Sequence, residues 1–326
     1  MSAAPAGPHV LISENLAGML PRLTERYPAS RFTPVPDAGP LLEEYVDAEV
    51  MFCSSMGEEM LNGILSKAVG LRWMQVTTAG FDWFGGDVLP RRLAEGMTLT
   101  RSSRSFCVPI GEYVIGAALM YSRAFPELRA AQERREWVRL VAKDFIGSTM
   151  LVFGTGSIGR EVAWRAKALG VTMIGVSRSG RPVEGFDRVV PVGRCLEVLP
   201  EADWVVLAMP LTSENRHLIR AEHFAAMKDS AVLINVGRGA LIREDDLVDA
   251  MTRGEIAGAV LDVFEEEPLP AGSRLWELPR TIVTPHTSFR ASGNLQRLCD
   301  DFSANFDRYL AGETLVGTML EPDLGY

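Results

Sequence analysis

Three charged side chains in the second half of the chain are of the types needed to reduce a carbonyl group. Arg238 lies in LINVGRGALI, Glu267 in LDVFEEEPLP and His286 in TIVTPHTS, each just beyond an apolar, strand-like run. Hydride delivery to a carbonyl carbon generates alkoxide character on the oxygen, which requires a proton donor and a nearby positive charge. A histidine beside a carboxylate can supply the proton near neutral pH, and an arginine supplies the permanent charge.

The source of the hydride is indicated by a glycine cluster, GTGSIG at residues 154–159. It follows the apolar run TMLVFG and opens the helical pattern SIGREVAWRAKALG. In a GxGxxG loop the first glycine permits a tight turn, the second lets backbone approach a pyrophosphate, and the third allows close packing of helix and strand. The helix N-terminus presents unpaired N–H groups to the phosphates. Rather than a glycine-rich turn without ligand, we expect a dinucleotide site formed by Gly154, Gly156, Ser157, Ile158 and Gly159.

The segment that selects the dinucleotide is VSRSG at residues 176–180, at the end of the next predicted strand. An Asp or Glu there would accept hydrogen bonds from the adenosine ribose, whereas an arginine suits a 2′-phosphate. Ser177 and Ser179 are hydroxyl donors, and Arg178 and Arg181 can bind a phosphate through charge-assisted bonds. The sequence therefore predicts NADPH/NADP as the preferred cofactor, with NADH possible. The alternative is that both arginines are solvated loop residues.

Two doubly wound parallel sheets are needed to position these segments. In the first hundred residues, apolar runs such as HVLI, RFTPV and AEVMFC alternate with helical patterns such as EEMLNGILSKAV, as is typical of parallel βαβ units. A long helical stretch up to Trp137, interrupted near Pro126, precedes a second series of strands that starts at TMLVFG and ends at TIVTPH. Because open α/β sheets bind ligands beyond the carboxyl ends of their strands, we expect Arg238, Glu267 and His286 to converge there.

The mid-chain position of the glycine loop implies a separate domain in front of it. The last helical pattern, SGNLQRLCDDFSANFDRYLAG, is followed by no strand of the second series, and we expect it to pack back on the first domain. The predicted fold class is α/β with two doubly wound parallel-sheet domains. A Rossmann cofactor domain at 108–289 is inserted in a flavodoxin-like substrate-binding domain formed by 1–107 and 290–326.

The composition excludes several other classes of function. The 326 residues are 47% hydrophobic, enough for two cores, and carry a formal net charge of -9 without a Lys/Arg run, so nucleic acid is not an expected partner. The 4 cysteines form no CxxC pair, so we expect reduced thiols and no metal site. The N-terminus shows no signal-peptide pattern and no apolar run approaches a membrane span, which predicts a cytoplasmic protein without a membrane partner.

Taken in order, GTGSIG, NVGRG, LDVFEEEPLP and TPH resemble the motifs of the D-isomer-specific 2-hydroxyacid dehydrogenases, the family of glyoxylate, hydroxypyruvate and phosphoglycerate dehydrogenases. The similarity extends to QVTTAGFD, EYVIGAAL and MPLTSENRHLI and so covers most of the chain. It implies that Arg238 binds the substrate carboxylate and keto oxygen, that His286 is the general acid/base, and that Glu267 orients this histidine.

The resemblance also implies further contacts with cofactor, substrate and a second subunit. Asp262 matches the aspartate that accepts a hydrogen bond from the nicotinamide carboxamide, with an ordinary strand-end cap as the alternative. The implied cofactor contacts beyond the two segments above are Met209, Pro210, Val236, Gly237, Arg238, Asp262, His286 and Ser288. The implied substrate contacts, in CSSMG and TTAGFD, are Ser55, Met56, Ala79 and Gly80. The family also implies a homodimer formed through EYVIGAALMYSRAF and the segment after it.

Two departures from the family pattern affect neighbours of these residues. Ser288 and Phe289 follow the histidine where the family usually has a pair of small residues, and EEEP lacks the proline often seen before its last glutamate. We expect Glu265 and Glu266, the other glutamates of EEEP, to be solvated. No comparable context surrounds the remaining histidines, which are His9, His217 and His223.

The function expected from these residues is an NADPH-preferring oxidoreductase that reduces small 2-oxo acids, glyoxylate or hydroxypyruvate first, to D-2-hydroxy acids. The alternative from another class is a dinucleotide-sensing binding protein of the same fold, similar to co-repressors that retain similar catalytic residues. A short-chain dehydrogenase is disfavoured because no tyrosine is followed four residues later by lysine. A methyltransferase would not explain the ordered Arg, Glu and His.

Overall fold

The computed structural model describes residues 7–54, 56–77, 87–102 and 104–318. The chain divides into two compact units, of which the first combines Met1–Ser105 with Ala291–Tyr326 and the second is the intervening segment Phe106–Arg290. The boundaries predicted from the sequence are 107/108 and 289/290. The assignment of substrate binding to one part and cofactor binding to the other stays a prediction.

The described strands of the first unit form a five-stranded parallel sheet in the order β2-β1-β3-β4-β5. This is the order of flavodoxin-like sheets, and it confirms the predicted fold class for this part of the chain. The strands β3 and β4 are buried along their whole length, as expected for a parallel sheet covered on both faces. The strands are β1 (His9–Ser13), β2 (Arg31–Val35), β3 (Val50–Cys53), β4 (Trp73–Val76) and β5 (Thr98–Arg101), with helices α1 (Leu20–Arg26), α2 (Glu58–Lys67) and α3 (Val88–Ala94).

The helix near the end of the chain, α9 (Asn294–Ala311), packs on this first sheet. Phe302 stacks on Phe52 of β3 and on Trp73 of β4, with ring centroids 4.7 and 5.3 Å apart. The Tyr27 hydroxyl donates to Asp307 Oδ1 at 2.8 Å. Apolar residues recur in α9 every three or four positions, so the helical period gathers them on the face that the sheet buries.

The second unit, whose residues are all described, contains a seven-stranded parallel sheet in the order β12-β11-β10-β9-β6-β7-β8. Counted from β6, this is the Rossmann order with one strand added at an edge, and it confirms the predicted fold class. The strands are β6 (Thr149–Phe153), β7 (Thr172–Ser177), β8 (Arg188–Pro191), β9 (Trp204–Leu207), β10 (Val232–Asn235), β11 (Gly258–Leu261) and β12 (Thr281–Val283). The helices are α4 (Cys107–Ser122), α5 (Phe125–Glu133), α6 (Ser157–Ala168), α7 (Ala221–Ala226) and α8 (Glu244–Arg253).

The long predicted helical stretch is two helices in the structure. The chain breaks at Ala124, whose φ of +54° is left-handed, and Pro126 lies in the first turn of α5, where its missing N–H costs no hydrogen bond. Because α5 ends at Glu133, the predicted extension to Trp137 is wrong. No helix among the described residues is long and apolar enough to cross a membrane.

Candidate active site

The predicted functional segments of the second unit lie at one edge of its sheet. The glycine loop follows β6 and the VSRSG turn follows β7, while NVGRG, LDVFEEEPLP and TPH come at the ends of β10, β11 and β12. All these strands are parallel, so their carboxyl ends share one edge. The strand order changes direction between β6 and β9, and open α/β sheets bind ligands at such a point.

The glycine loop has the backbone shape and the open donors that a diphosphate needs. Gly154 has φ +104°, and a Cβ there would lie 2.7 Å from the Ala208 carbonyl oxygen. A Cβ on Gly159 would overlap the Gly154 carbonyl oxygen, so α6 approaches β6 this closely only with glycine. The exposed Gly156 precedes a first turn of α6 that has neither an acidic residue nor a side-chain cap. The unpaired N–H groups of this turn therefore fit a negatively charged dinucleotide.

The turn after β7 carries the predicted selectivity residues. Ser177 Oγ accepts a hydrogen bond from the Gly180 backbone N–H at 3.0 Å, and Arg178, Ser179 and Arg181 are exposed on the same turn. Because Ser177 Oγ is the acceptor in that bond, its own O–H remains able to donate. The turn thus combines hydroxyl donors with two guanidinium groups, and this set of donors suits a phosphate.

His286 and Glu267 form a hydrogen-bonded pair. Nδ1 of His286 donates to Oε2 of Glu267 at 2.7 Å, and the two side chains are 39% and 35% exposed. The other carboxylate oxygen, Oε1, accepts from the Phe264 backbone N–H at 3.0 Å. His286 has φ +48°, a conformation that is uncommon for a non-glycine residue and that recurs at functional sites. The pairing through Nδ1 leaves Nε2 as the ring atom that can exchange a proton with a ligand.

Asp262 holds the turn that carries His286. Its carboxylate is fully buried and accepts from the Thr284 hydroxyl at 2.6 Å and from the backbone N–H groups of Thr287 and Ser288 at 2.8 and 2.9 Å. Tyr113 of α4 in turn donates to Thr284 Oγ1 at 2.6 Å, and burial raises the pKa of this tyrosine to about 12. These bonds give Asp262 the role of a strand-end cap, while its contact with a nicotinamide carboxamide stays a prediction.

Arg238 lies in a turn that is pressed against the segment carrying Glu267. Its side chain is half-buried, and Nη1 donates to the Gly237 carbonyl oxygen at 2.9 Å. The buried Asn235 amide accepts from the Gly237 N–H at 3.1 Å and donates to the Arg238 carbonyl oxygen at 3.0 Å. A Cβ on Gly239 would overlap the Phe264 carbonyl carbon. Only a glycine at 239 therefore lets the arginine turn and the EEEP segment lie in direct backbone contact.

The other predicted cofactor contacts differ in accessibility. Pro210 is exposed and Met209 half-buried, whereas the side chains of Val236 and Ser288 are buried. Phe289, which stands where the family usually has a small residue, packs its ring at right angles to that of His286 with centroids 5.7 Å apart. The aromatic ring thus supports the histidine from one side, an effect that the sequence pattern did not suggest.

The predicted substrate contacts in the first unit are described only in part. Met56 is 5% exposed and packs in the hydrophobic core of that unit, so its contact with substrate stays a prediction. Ser55, Ala79 and Gly80 lie outside the described residues. In the part of the chain that the structure describes, no group of three or more His, Cys, Asp or Glu side chains could hold a metal ion.

Two residues without a predicted role belong to the same edge of the second sheet. Nε2 of His217 donates to Oε2 of Glu265 at 3.0 Å, and Glu265 also exchanges hydrogen bonds with Glu244. Glu265 is exposed, as expected, but its carboxylate is also hydrogen-bonded within the protein. Its partner lies 48 residues earlier in the chain, so no local pattern signals the pair.

Comparison with known proteins places these features in a family. Residues 115–288 match the family described as "D-isomer specific 2-hydroxyacid dehydrogenase, NAD binding domain". Glyoxylate/hydroxypyruvate reductase B of Pectobacterium carotovorum is 32% identical over 287 residues, which are 86% of this chain and 87% of that protein. An uncharacterised protein of Corynebacterium melassecola is 41% identical over 179 residues, or 55% of this chain. That alignment spans 58% of the Corynebacterium protein, less than two thirds of its length.

A solved structure is similar over nearly the whole chain. It is the NADPH-dependent glyoxylate/hydroxypyruvate reductase of Sinorhizobium meliloti in complex with NADP and sulfate. The TM-score is 0.81 at 25% identity, and the superposition covers 98% of this chain and 100% of that one. This chain therefore shares its fold with a protein whose own structure contains NADP.

Replacement of Gly156 by alanine tests the cofactor contact without straining the fold. A Cβ at this position would meet no atom within 4 Å, and the φ of -74° is accessible to alanine. The methyl group would occupy space that a pyrophosphate needs, so we expect Gly156→Ala to weaken NADPH binding by about tenfold or more at an unchanged melting temperature. Fluorescence titration with NADPH and thermal denaturation measure the two quantities.

Gly193→Ala is the matched control, because a Cβ there also meets no atom within 4 Å and the residue lies outside the glycine loop. It should change neither the affinity nor the melting temperature. If Gly156→Ala bound NADPH as tightly as the wild type, the pyrophosphate would not lie against Gly156.

Proposed function

Because the chain belongs to the D-isomer specific 2-hydroxyacid dehydrogenase family, we propose that it reduces a small 2-oxo acid to a D-2-hydroxy acid with NADPH as hydride donor. The observation that carries the proposal is the His286–Glu267 pair at the sheet edge that also presents Arg238 and the glycine loop. Glyoxylate and hydroxypyruvate are the first candidate substrates, since the relatives from Pectobacterium and Sinorhizobium are named as reductases of these acids.

His286 supplies the proton in this proposal. When bound, a reduced nicotinamide provides the hydride for the carbonyl carbon, and negative charge develops on the carbonyl oxygen. Nε2 of the protonated His286 gives a proton to that oxygen, while Nδ1 stays bonded to Glu267. The carboxylate accepts this bond and so fixes the orientation of the ring. In the reverse reaction the same nitrogen accepts the proton of the hydroxyl group.

Arg238 binds the substrate carboxylate and the keto oxygen in this proposal. A guanidinium group is planar and permanently charged, so it can hold a carboxylate through two parallel bonds and also offset charge on the keto oxygen. The turn that carries Arg238 is held by Asn235 and by backbone contact at Gly239. Such support reduces the freedom that substrate binding must remove from the arginine.

The turn after β7 supports NADPH rather than NADH as the cofactor of this proposal. Its hydroxyl and guanidinium donors complement a 2′-phosphate, and no carboxylate stands at Ser177 to repel one. The similar structure from Sinorhizobium, which is named NADPH-dependent and contains NADP, supports this choice. Asp262, Met209, Pro210, Val236, Gly237 and Ser288 complete the proposed cofactor contacts.

The proposal also assigns substrate contacts to the first unit and a cytoplasmic location to the protein. Substrate binding is assigned to the first unit through Ser55, Met56, Ala79 and Gly80. The cysteines at 53, 107, 195 and 299 are buried, and the proposal keeps them reduced in a cytoplasmic protein.

A steady-state screen of 2-oxo acids tests the function. Glyoxylate, hydroxypyruvate, pyruvate and bulkier 2-oxo acids are each offered with NADPH and with NADH, and oxidation of the cofactor is followed by absorbance. We expect turnover with the small acids and a higher kcat/KM with NADPH. NADPH binding without turnover of any acid would contradict the proposal and favour a dinucleotide-sensing binding protein.

His286→Asn is the matched variant in the same assay. It removes the proton-transferring nitrogen, so we expect kcat to fall by about a hundred- to ten-thousandfold while the NADPH dissociation constant changes little. Retention of full turnover would remove His286 from its proposed role.

The double change Ser177→Asp, Arg178→Ala tests the choice of cofactor. It places a carboxylate beside the expected 2′-phosphate and removes one charge partner, so the ratio of kcat/KM for NADPH over NADH should fall by about ten- to a hundredfold. Arg253→Ala, which removes an exposed arginine at the end of α8, is the control and should leave the ratio unchanged. An unaltered ratio in the double variant would contradict the assignment of NADPH.

A homodimer formed through the second unit is part of the proposal. Large apolar side chains that are exposed concentrate in α5 and the segment after it, including Phe125, Leu128, Trp137, Val141 and Ile146. Trp137 is 93% exposed, and Val141 makes hardly any contact with the rest of the chain. Single chains rarely expose so many large apolar groups together, and such patches mark protein interfaces.

The variant Trp137→Glu, Val141→Glu tests the dimer by light scattering after size exclusion. The wild type should elute with twice the chain mass of 35.7 kDa and the variant with 35.7 kDa, because the new charges cannot be buried without partners. Val69→Glu, at an exposed position of the first unit, should leave the mass unchanged. A monomeric wild type would contradict the dimer.

A further inference from the structure

A second histidine–carboxylate pair lies next to the one proposed to transfer the proton. Nε2 of His217 and Oε2 of Glu265 are 3.0 Å apart, and the side chains are 34% and 27% exposed. Glu265 comes from the same EEEP segment as Glu267, and His217 precedes the loop that leads to α7. The mechanism above uses neither residue.

The backbone around His217 is paired with the end of the arginine turn. The His217 N–H donates to the Ala240 carbonyl oxygen at 2.7 Å, and the Ile219 N–H donates to the Leu241 carbonyl oxygen at 2.9 Å. Ile219 and Ile242 form an isolated parallel bridge. His217 is therefore tied to a segment that begins two residues after Arg238.

Glu265 connects this segment to the start of α8. Its Oε1 accepts from the Glu244 backbone N–H at 3.1 Å, and its own N–H donates to Glu244 Oε1 at 2.7 Å. The two glutamates thus exchange side-chain to backbone bonds. With the bond from His217, the carboxylate of Glu265 accepts from two separate segments, both of which adjoin the arginine turn.

The EEEP segment contacts both the arginine turn and Glu267, which is hydrogen-bonded to the proposed proton donor His286. A Cβ on Gly239 would overlap the backbone of Phe264 and Glu265, so the arginine turn and EEEP touch through their backbones. The Phe264 N–H also donates to Glu267 Oε1, whose partner oxygen holds His286. A displacement of Glu265 would therefore shift both Arg238 and the partner of His286.

Several carboxylate groups lie close together around Glu244 and Glu265. Burial raises the pKa of the Glu244 carboxyl, and the negative charges of Glu265, Asp245 and Glu266 raise it further. Arg216 is 3.5 Å from Glu265 Oε2 but is 55% exposed, so its contribution is small. The bond from His217 is the shorter and less exposed of the two contacts, and it gives Oε2 of Glu265 a hydrogen-bond donor.

We propose that His217 and Glu265 are positioning residues. They hold the Arg238 turn and the Glu267–His286 pair in the relative positions that the reaction requires. The inference rests on the proposed function, in which Arg238 binds substrate and His286 transfers the proton. In this role His217 and Glu265 act through the backbone of residues 238–242 and 264–267.

The first test compares Glu265→Ala with Glu266→Ala. Both remove one carboxylate from the same segment, but only the first removes the bonds to His217 and Glu244. We expect Glu265→Ala to lower kcat/KM for the 2-oxo acid by about ten- to a hundredfold, through both a higher KM and a lower kcat, because small misplacements of reacting groups are costly. The affinity of Glu265→Ala for NADPH should match that of the wild type. The Glu266→Ala variant should match the wild type in both its kinetics and its NADPH affinity.

The second test uses two substitutions of His217 that separate positioning from stability. His217 has φ +53°, a conformation that asparagine tolerates better than glutamine. The amide of glutamine reaches about as far as Nε2, whereas that of asparagine is too short to reach Glu265. We therefore expect His217→Gln to retain activity and His217→Asn to lose about tenfold in kcat/KM, although the backbone favours asparagine. Equal activities, or a better asparagine variant, would overturn the proposal.

Amide hydrogen exchange distinguishes failure of this inference from failure of the proposed function. If the wild type reduces no 2-oxo acid, the proposed function fails. Exchange still tests whether His217 and Glu265 hold the neighbouring segments in place. Amide exchange in residues 238–244 and 264–267 should become faster in Glu265→Ala and in His217→Asn. It should not change in Glu266→Ala. Unchanged exchange in both variants would overturn the inference even if the enzyme were active.

Discussion

The buried carboxylate of Asp262 is the interaction on which the functional edge of the second unit depends. A charge removed from water is tolerated only when hydrogen bonds satisfy it. Asp262 accepts from the Thr284 hydroxyl and from two backbone N–H groups in the turn that carries His286. Loss of any of these donors would leave a buried acceptor unpaired, so the turn has a single favourable arrangement. The left-handed backbone of His286 is maintained by these surroundings.

The parallel sheet explains why residues far apart in the chain can share this edge. Every strand of the Rossmann sheet runs in one direction, so each crossover delivers a new turn to the same side. Close approach of these turns then depends on positions without a side chain. Gly159 brings α6 against the glycine loop, and Gly239 brings the arginine turn against EEEP. A methyl group at either position would force these segments apart.

The two histidine–carboxylate pairs at this edge differ in the ring nitrogen that is bonded to the carboxylate. His286 bonds Glu267 through Nδ1, which keeps Nε2 for a ligand, and its ring is supported by Phe289. His217 uses Nε2 for Glu265 and its backbone N–H for Ala240, so both groups are committed to contacts within the protein. In our proposal the same pair of residue types therefore serves proton transfer in one case and positioning in the other, according to the ring nitrogen that is bonded to the carboxylate.

Local patterns in the sequence determined the fold class and the place of the glycine loop, because strand and helix periodicity and turn glycines act over a few residues. They also singled out Arg238, Glu267 and His286 as candidates, whose roles stay predictions. They did not determine the short edge strands β5 and β8, whose four-residue runs carry little periodic signal. Only the tertiary structure decided that Asp262 is buried beneath the histidine turn and that Glu265 meets His217, 48 residues away. The physical reason is that such pairs arise when crossovers bring separate turns to one edge, and their distance there is independent of their separation along the chain.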